Sequence, residues 1–327
     1  MKVFRSLSGI KIDKNTCVTI GVFDGIHIGH QRLLRKVVDI AQSRGLLSVA
    51  FTFDRHPEAM IPGHTPPLLL SSTEEKLAFF RNFGLDVTVI APFDNNLALT
   101  SARDFVKRIL LAKLRAKCIV IGLESTFGKE AHGNAALLTT LGEEMGFQVM
   151  VTEQILLGET VVSSTAIREA IDAGDMEGAM KMLGRPYEVS GPVISGDGRG
   201  KELGFPTLNL PLPEGKVLPP DGIYAGLVQA VGENHTPSGR GQKREAARDY
   251  LAVLYIGNRP TFGGKERRIE AHICQKEFAL EAKQLRLSFI SRLREDRTYA
   301  SEEELVSQMK ADAKRAAEMI ANYYAAK

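Results

Sequence analysis

Two kinds of hydrophobic spacing divide this chain of 327 residues. Up to about Gly184, short apolar runs rich in β-branched residues alternate with stretches whose apolar residues recur three and four positions apart. The first kind predicts strands and the second amphipathic helices. In order these are strand 16–23, helix 30–42, strand 46–53, helix 73–83, strand 86–91, helix 102–115, strand 117–122, helix 134–145 and strand 147–152. Five strands alternating with helices predict a parallel, doubly wound sheet. In such sheets the ligand crevice lies at the carboxyl ends of the strands.

Beyond Gly184 the apolar runs at 187–195, 207–210, 222–231, 250–256, 268–274 and 285–291 are separated by Gly and Pro. Closely spaced strands with turn signals predict a small antiparallel β-barrel. Ser301, followed by Glu302, Glu303 and Glu304, supplies a capping box for a last helix running toward Tyr324. The expected fold class is thus α/β plus β. A Rossmann-like, doubly wound parallel sheet occupies residues 1–183, and a barrel with a C-terminal helix occupies residues 184–327. The mixed-charge stretch 232–249 reads as a solvated hairpin loop.

Composition narrows the class only a little. Hydrophobic residues at 44% and charged residues at 25% are ordinary for a globular protein. A net charge of +3 is too small to point to nucleic acid. No apolar run approaches the roughly 18 residues of a membrane span, and no leader-like apolar segment opens the chain. Cys17, Cys118 and Cys274 are odd in number and far apart in the sequence, which suggests reduced thiols that each fill a strand. A cytoplasmic protein without a membrane or nucleic-acid partner is expected, and its oligomeric state is left open.

The chemistry is concentrated in a few places. Residues 21–30 read Gly-Val-Phe-Asp-Gly-Ile-His-Ile-Gly-His, directly after the first predicted strand. The candidate phosphate-binding residues there are Gly21, Phe23, Asp24, Gly25 and Gly29, with His27 and His30 as the chemical groups. The pair is expected to be held three apart by a bend that needs Gly29, so that both imidazoles and the first amides of the next helix converge on one anion. Zinc fits poorly, because a His-x-x-His pair lacks the i, i+4 spacing of helical zinc sites and no cysteine cluster adds ligands. Ser163, Ser164 and Thr165 can cap a helix start, and Arg168, one turn further on, offers a fork suited to phosphate oxygens. Asp54 and His56 end the second strand at the carboxyl edge, where they either shape the turn before Pro57 or face a ligand.

In the second half, the run 196–209 contains Gly198, Gly200, Lys201 and Gly204, whose small residues let backbone amides approach phosphate. Thr207 and Asn209, two apart on a strand, present a hydroxyl and an amide oxygen to the same side. That pair is able to hold Mg²⁺, which takes oxygen ligands and bridges ATP phosphates.

His27-Ile28-Gly29-His30 resembles the signature of nucleotidylyltransferases, and residues 163–168 resemble the second half of that site, which steadies the departing pyrophosphate. Residues 21–30, 52–57, 74–77, 122–134 and 163–168 together resemble, in the same order, the prokaryotic bifunctional riboflavin kinase and FAD synthetase family. Residues 196–209, 221–226, 256–263 and 269–272 resemble its flavokinase half. The resemblance implies riboflavin, FMN and ATP as small-molecule substrates. The barrel would phosphorylate riboflavin with Mg-ATP, with Glu270 as base toward the ribityl hydroxyl. The first domain would transfer AMP to FMN, giving FAD and pyrophosphate, with His27, His30 and Arg168 stabilising charge. It also makes Asp54, His56, Phe127 and Asn134 candidates for flavin binding.

Departures from the family pattern are Arg55 in place of a frequent proline, Ser125 in place of an aromatic, and Gln275-Lys276 and Glu281-Ala282 in place of acidic-aromatic and Tyr-Gly pairs. They leave open a monofunctional FMN adenylyltransferase whose barrel only binds flavin, and a flavin storage or delivery protein. A nucleotidylyltransferase for another phosphate acceptor also remains, although the flavokinase-like half argues against it.

Overall fold

The computed structural model describes residues 1–61, 63–196, 199–231, 249–257, 267–274 and 282–326. Gly198, most of the loop 232–249, the motif residues 258–263 and the departures Gln275, Lys276 and Glu281 lie outside the described residues. The chain divides into two compact units, Met1–Ala166 and Ile167–Lys327.

The first unit is built on a sheet of six strands, β1 (Lys2–Phe4), β2 (Thr16–Ile20), β3 (Leu47–Phe53), β4 (Val87–Ala91), β5 (Ala116–Gly122) and β6 (Gln148–Thr152), in the order β1-β4-β3-β2-β5-β6. Every pairing is parallel. All five residues of β2 and of β4 are buried, as expected of strands covered on both faces. Helix α1 (Ile28–Arg44) inserts Leu33, Leu34, Val37, Val38, Ile40 and Ala41 between itself and the sheet, and ends on Gly45 in the left-handed conformation. Phe105, Ile109, Leu138 and Leu141 belong to a separate core that includes Val49, Phe51 and Val89. Because β3 follows β2 on one side and β5 pairs with it on the other, the strand order reverses at β2. That reversal opens a crevice at its carboxyl end.

Two sequence expectations are corrected here. The sheet has a sixth strand, β1, which pairs with β4; three residues are too few to reveal alternation. The helix expected at 102–115 is a short α-turn, Ala102–Asp104, continuing into a π-helix, Phe105–Leu111. Cys17 and Cys118, remote in sequence, are register partners on β2 and β5, both buried and free. Their mutual hydrogen bond and burial push the Cys17 thiol up, whereas the same bond holds Cys118 down at about 7.

A small hairpin, β7 (Leu156–Leu157) and β8 (Thr160–Val161), precedes the helix Ser164–Asp172. The second unit carries β9 (Tyr187–Pro192), β10 (Thr207–Leu210), β11 (Gly222–Ala230), β12 (Tyr250–Gly257), β13 (Arg268–Ile273) and β14 (Gln284–Arg294). They form an antiparallel sheet in the order β10-β13-β12-β11-β14-β9. Ile194, just past β9, donates its amide to Asn209 of β10 at 2.9 Å, so the two ends of the sheet meet. Register shifts in the β11–β14 pairing add the local bend that such curvature needs.

The C-terminal helix Glu302–Ala325 packs on β11, β12 and β14, with Ala316 and Ile320 against Ile223, Leu227 and Ile290. Ser301 caps it by accepting from the Glu304 amide. The chain divides ahead of the change in hydrophobic spacing at Gly184, because the helix Met176–Leu183 packs on β9 and β14. No helix among the described residues is long and apolar enough to cross a membrane.

Candidate functional site

Residues 21–27 leave the carboxyl end of β2 as a tight turn, with Phe23, Gly25 and Ile26 all at positive φ. Two of these are not glycine, so the surroundings must hold the turn in place. The Val22 carbonyl accepts from Thr52 Oγ1 at 3.1 Å and from Lys76 Nζ at 3.3 Å. The buried Asp24 carboxylate accepts from the Leu70 amide at 2.9 Å and the Ser71 amide at 3.0 Å. Ser71 Oγ accepts from the Gly25 amide at 2.9 Å, and Gln31 Nε2 donates to the Ile26 carbonyl at 2.9 Å. Asp24, expected among the phosphate-binding residues, thus clamps the turn to residues 70–71 with its carboxylate.

His27 is the N-cap of α1, and its Nδ1 accepts from the His30 amide at 3.4 Å. The two imidazoles stack with centroids 3.7 Å apart, and Phe23 meets His30 edge-on at 5.2 Å. Gly29 is not a bend: it lies inside the first turn of α1. Its requirement is steric, because a Cβ there would sit 3.0 Å from His27 Cε1. A Cβ at Gly21 would likewise press on the Phe23 ring at 3.2 Å. His30 Nδ1 is buried without a hydrogen-bond partner among the described residues. Burial, then the neighbouring His27 and Lys76, holds the His30 pKa well below the usual imidazole range.

Ser164 meets this turn directly. Ser164 Oγ donates to the Asp24 carbonyl at 2.9 Å, joining two signatures separated by 140 positions. Ser163 Oγ accepts from the Ala166 amide at 3.1 Å, and Thr165 is exposed. Arg168 is half-buried one turn into the helix Ser164–Asp172, beyond the division between the units.

The flavin candidates of the first unit are dispersed. Asp54 accepts from the Phe93 amide at 2.9 Å, and His56 caps the short helix Pro57–Met60 through the Glu58 amide. Asn134 caps the helix Ala135–Met145 by accepting from Leu137 N at 2.9 Å. Phe127 is buried and packs on Phe105, as part of the core. Each of these residues carries a local structural task that its sequence neighbours alone leave ambiguous.

On the barrel, strand register assembles the candidates. Asn209 pairs with Glu270, Glu270 with Tyr255, and Thr207 with His272, so these side chains share one face. Thr207, Tyr255, Glu270 and His272 line a cavity together with Gly200 and Phe205. Asn209 Oδ1 is buried without a hydrogen-bond partner among the described residues. An orphaned amide oxygen beside a threonine hydroxyl and a buried carboxylate is a donor set suited to a hard divalent cation. No group of three His, Cys, Asp or Glu side chains able to hold a metal occurs among the described residues.

The loop ahead of β10 forms a single helical turn, Arg199–Glu202, and Gly204 then adopts a left-handed conformation. A Cβ at Gly200 would collide with the Phe205 carbonyl at 2.4 Å, so the glycine permits the loop to close on itself. Lys201 is exposed. Sequence reasoning missed Tyr255, whose hydroxyl donates to Asp296 at 2.9 Å; burial, then that hydrogen bond, pushes its pKa upward. It also missed the clamp from Arg294 to Asp312, at 2.7 Å, between β14 and the C-terminal helix. Lys76, Ser71 and Thr52 were missed as holders of the first turn. A lysine in a short helix looks solvated unless its packing is known.

Comparison with known proteins finds two families in succession along the chain. Residues 9–166 match the FAD synthetase family and residues 183–320 the riboflavin kinase family. The chain is 31% identical over 314 residues to the bifunctional riboflavin kinase/FMN adenylyltransferase of Escherichia coli K12, covering 95% of this chain and 96% of that one. The protein of the same name from Haemophilus influenzae is 29% identical over 97% of this chain and 98% of its own. Among solved structures, a Streptococcus pneumoniae chain titled a macrolide-efflux protein superposes with a TM-score of 0.82 at 27% identity, covering 95% of this chain and 97% of that one. Two family models in succession and similarity along nearly the whole length lead to one assignment: the chain belongs to the bifunctional riboflavin kinase/FMN adenylyltransferase family.

Proposed function

We propose that this protein makes FAD from riboflavin in two steps, on two sites. The observation that carries the adenylyl-transfer reading is the Ser164-to-Asp24 hydrogen bond, which makes residues 21–30 and 163–164 one construction. At that site an oxygen of the FMN phosphate attacks the α-phosphorus of ATP and pyrophosphate leaves, with no covalent enzyme intermediate. His27, His30 and the free amides at the start of α1 stabilise the charge that develops, and Arg168 is assigned to the departing phosphates. Pre-organisation of this kind is supported by the side chains that fix the turn 22–26.

In the second unit, the riboflavin 5′-hydroxyl attacks the γ-phosphorus of ATP in line while Glu270 accepts its proton. Glu270 is buried on the face that carries Thr207 and Asn209, which supports this role. Thr207 and Asn209 would hold Mg²⁺, which when bound neutralises phosphate charge. Gly198, Gly200, Lys201 and Gly204 would contact the phosphates. The flavin of the first unit is assigned to the carboxyl edge near Asp54 and His56. ATP consumption and free cysteines fit a cytoplasmic setting. The catalytic division follows the change in sequence spacing, residues 1–183 and 184–327.

Incubation with riboflavin, ATP and Mg²⁺, then with FMN as the starting flavin, tests the reading once the flavins are resolved. FAD from both inputs is expected. FAD from FMN alone would leave a monofunctional adenylyltransferase, and no product from either would refute both steps.

A further inference from the structure

The adenylyl-transfer turn contains a buried charge that the proposed chemistry does not use. Lys76 lies in helix Thr73–Asn82, which starts from a complete capping box on Ser72 and Glu75. Its side chain is directed inward and is only 4% exposed. The one hydrogen bond its ammonium makes among the described residues is the 3.3 Å contact with the Val22 carbonyl, which Thr52 also holds. An ammonium buried at this depth is costly, and burial indeed lowers the Lys76 pKa while Asp24 and Asp54 oppose that shift. An apolar residue would fill the position without that cost, so the charge calls for a reason.

We propose that Lys76 is a positioning residue of the adenylyl-transfer site, fixing the Val22 carbonyl and placing a buried positive charge against the turn that leads into His27 and His30. The proposal rests on the reading of residues 21–30 as that site. The charged and titratable groups that act on His30 are His27 from the cap of α1 and Lys76 from the neighbouring helix; Asp24 and Asp54 act on Lys76 in turn. His30 is half-buried, but its Nδ1 is shut off from solvent and has no partner among the described residues, so a second proton there would be uncompensated. A neutral imidazole retains one N–H for a phosphoryl oxygen, and the nearby ammonium disfavours the doubly protonated form.

The test compares Lys76→Met, which keeps the apolar stem, with Lys76→Gln, which keeps a donor without the charge. The readout independent of activity is the His30 titration followed by imidazole nitrogen NMR, assigned against His30→Ala. In both variants the His30 pKa should rise and the acid limb of FAD formation from FMN should move to higher pH. FAD formation should fall roughly 10-fold or more in Lys76→Met and less in Lys76→Gln, with FMN formation unchanged. An unmoved His30 titration in a folded variant overturns the proposal even if the rate drops, because a purely structural lysine would produce that result. Failure of both variants to fold also overturns it, since the charge must be dispensable to the fold. If wild-type protein made no FAD, the NMR shift would still report on the lysine while the functional reading failed separately.

Discussion

At the carboxyl edge of the first sheet, the turn 22–26 is fixed by side chains of Thr52 on β3, Ser71, Lys76 on helix Thr73–Asn82 and Ser164, and by the amides of residues 70–71. On the barrel, Thr207, Asn209, Tyr255 and Glu270 are gathered by strand register. The first site presents backbone amides and imidazoles at a helix start, and its precision depends on how tightly the turn is held. The second presents side chains on a pleated surface, and its precision is inherited from the sheet. A grip on phosphate through amides and imidazoles suits the first arrangement, and a cation held between side-chain oxygens suits the second.

The sharpest way to break this comparison is reciprocal. His30→Ala should lower FAD formation from FMN about 100- to 1000-fold and leave FMN formation from riboflavin intact, whereas Glu270→Ala should do the reverse. Equal loss of both steps in either variant, with circular dichroism unchanged, would contradict separate sites.

The next effects separate a site built on a turn from one built on register. Gly29→Ala places a Cβ 3.0 Å from the His27 ring and should displace it, lowering FAD formation about 10- to 100-fold. Asn209→Leu removes an orphaned buried oxygen, so the melting temperature should hold or rise while FMN formation demands far more Mg²⁺. A fall in stability with unchanged Mg²⁺ titration would show that Asn209 is structural. Smaller again is Asp24→Asn, which replaces one acceptor oxygen with an amide donor facing the Leu70 and Ser71 amides. Chemical denaturation should show a loss of about 1–3 kcal/mol, accompanied by slower FAD formation.

The two sites were also unequally legible in the sequence. The change from the strand spacing of β2 to the helical spacing of α1 located the first turn, because both periods are local properties of the chain. The clamps were not visible: Ser71 and Lys76 are polar residues around a helix start, and only tertiary packing turns them toward residues 22–25. On the barrel, alternation identified which residues share a strand face, as with Thr207 and Asn209. Pairing between strands is non-local, so the placement of Tyr255 and Asn209 beside Glu270 had no signal in the spacing. The π-helix at Phe105–Leu111 was hidden for a different reason, since its apolar spacing is close to that of an α-helix.

The smallest predicted effect concerns a residue with two competing roles. Asn134 resembles a flavin-binding position, yet its side chain accepts from the Leu137 amide at 2.9 Å and caps the helix Ala135–Met145. A cap of this kind is worth about 1 kcal/mol, and Ser or Asp can supply the same acceptor. Asn134→Ala should therefore lower stability by about that amount, Asn134→Asp should restore it, and the KM for FMN should be the same in all three proteins. Capping uses one oxygen and leaves the amide NH₂ of an exposed side chain at the surface. A flavin contact would have to use that NH₂, which Asp lacks. A raised KM for FMN in Asn134→Asp at unchanged stability would therefore assign Asn134 to the flavin as well as to the helix, and would extend the acceptor site from β3 across to the start of that helix.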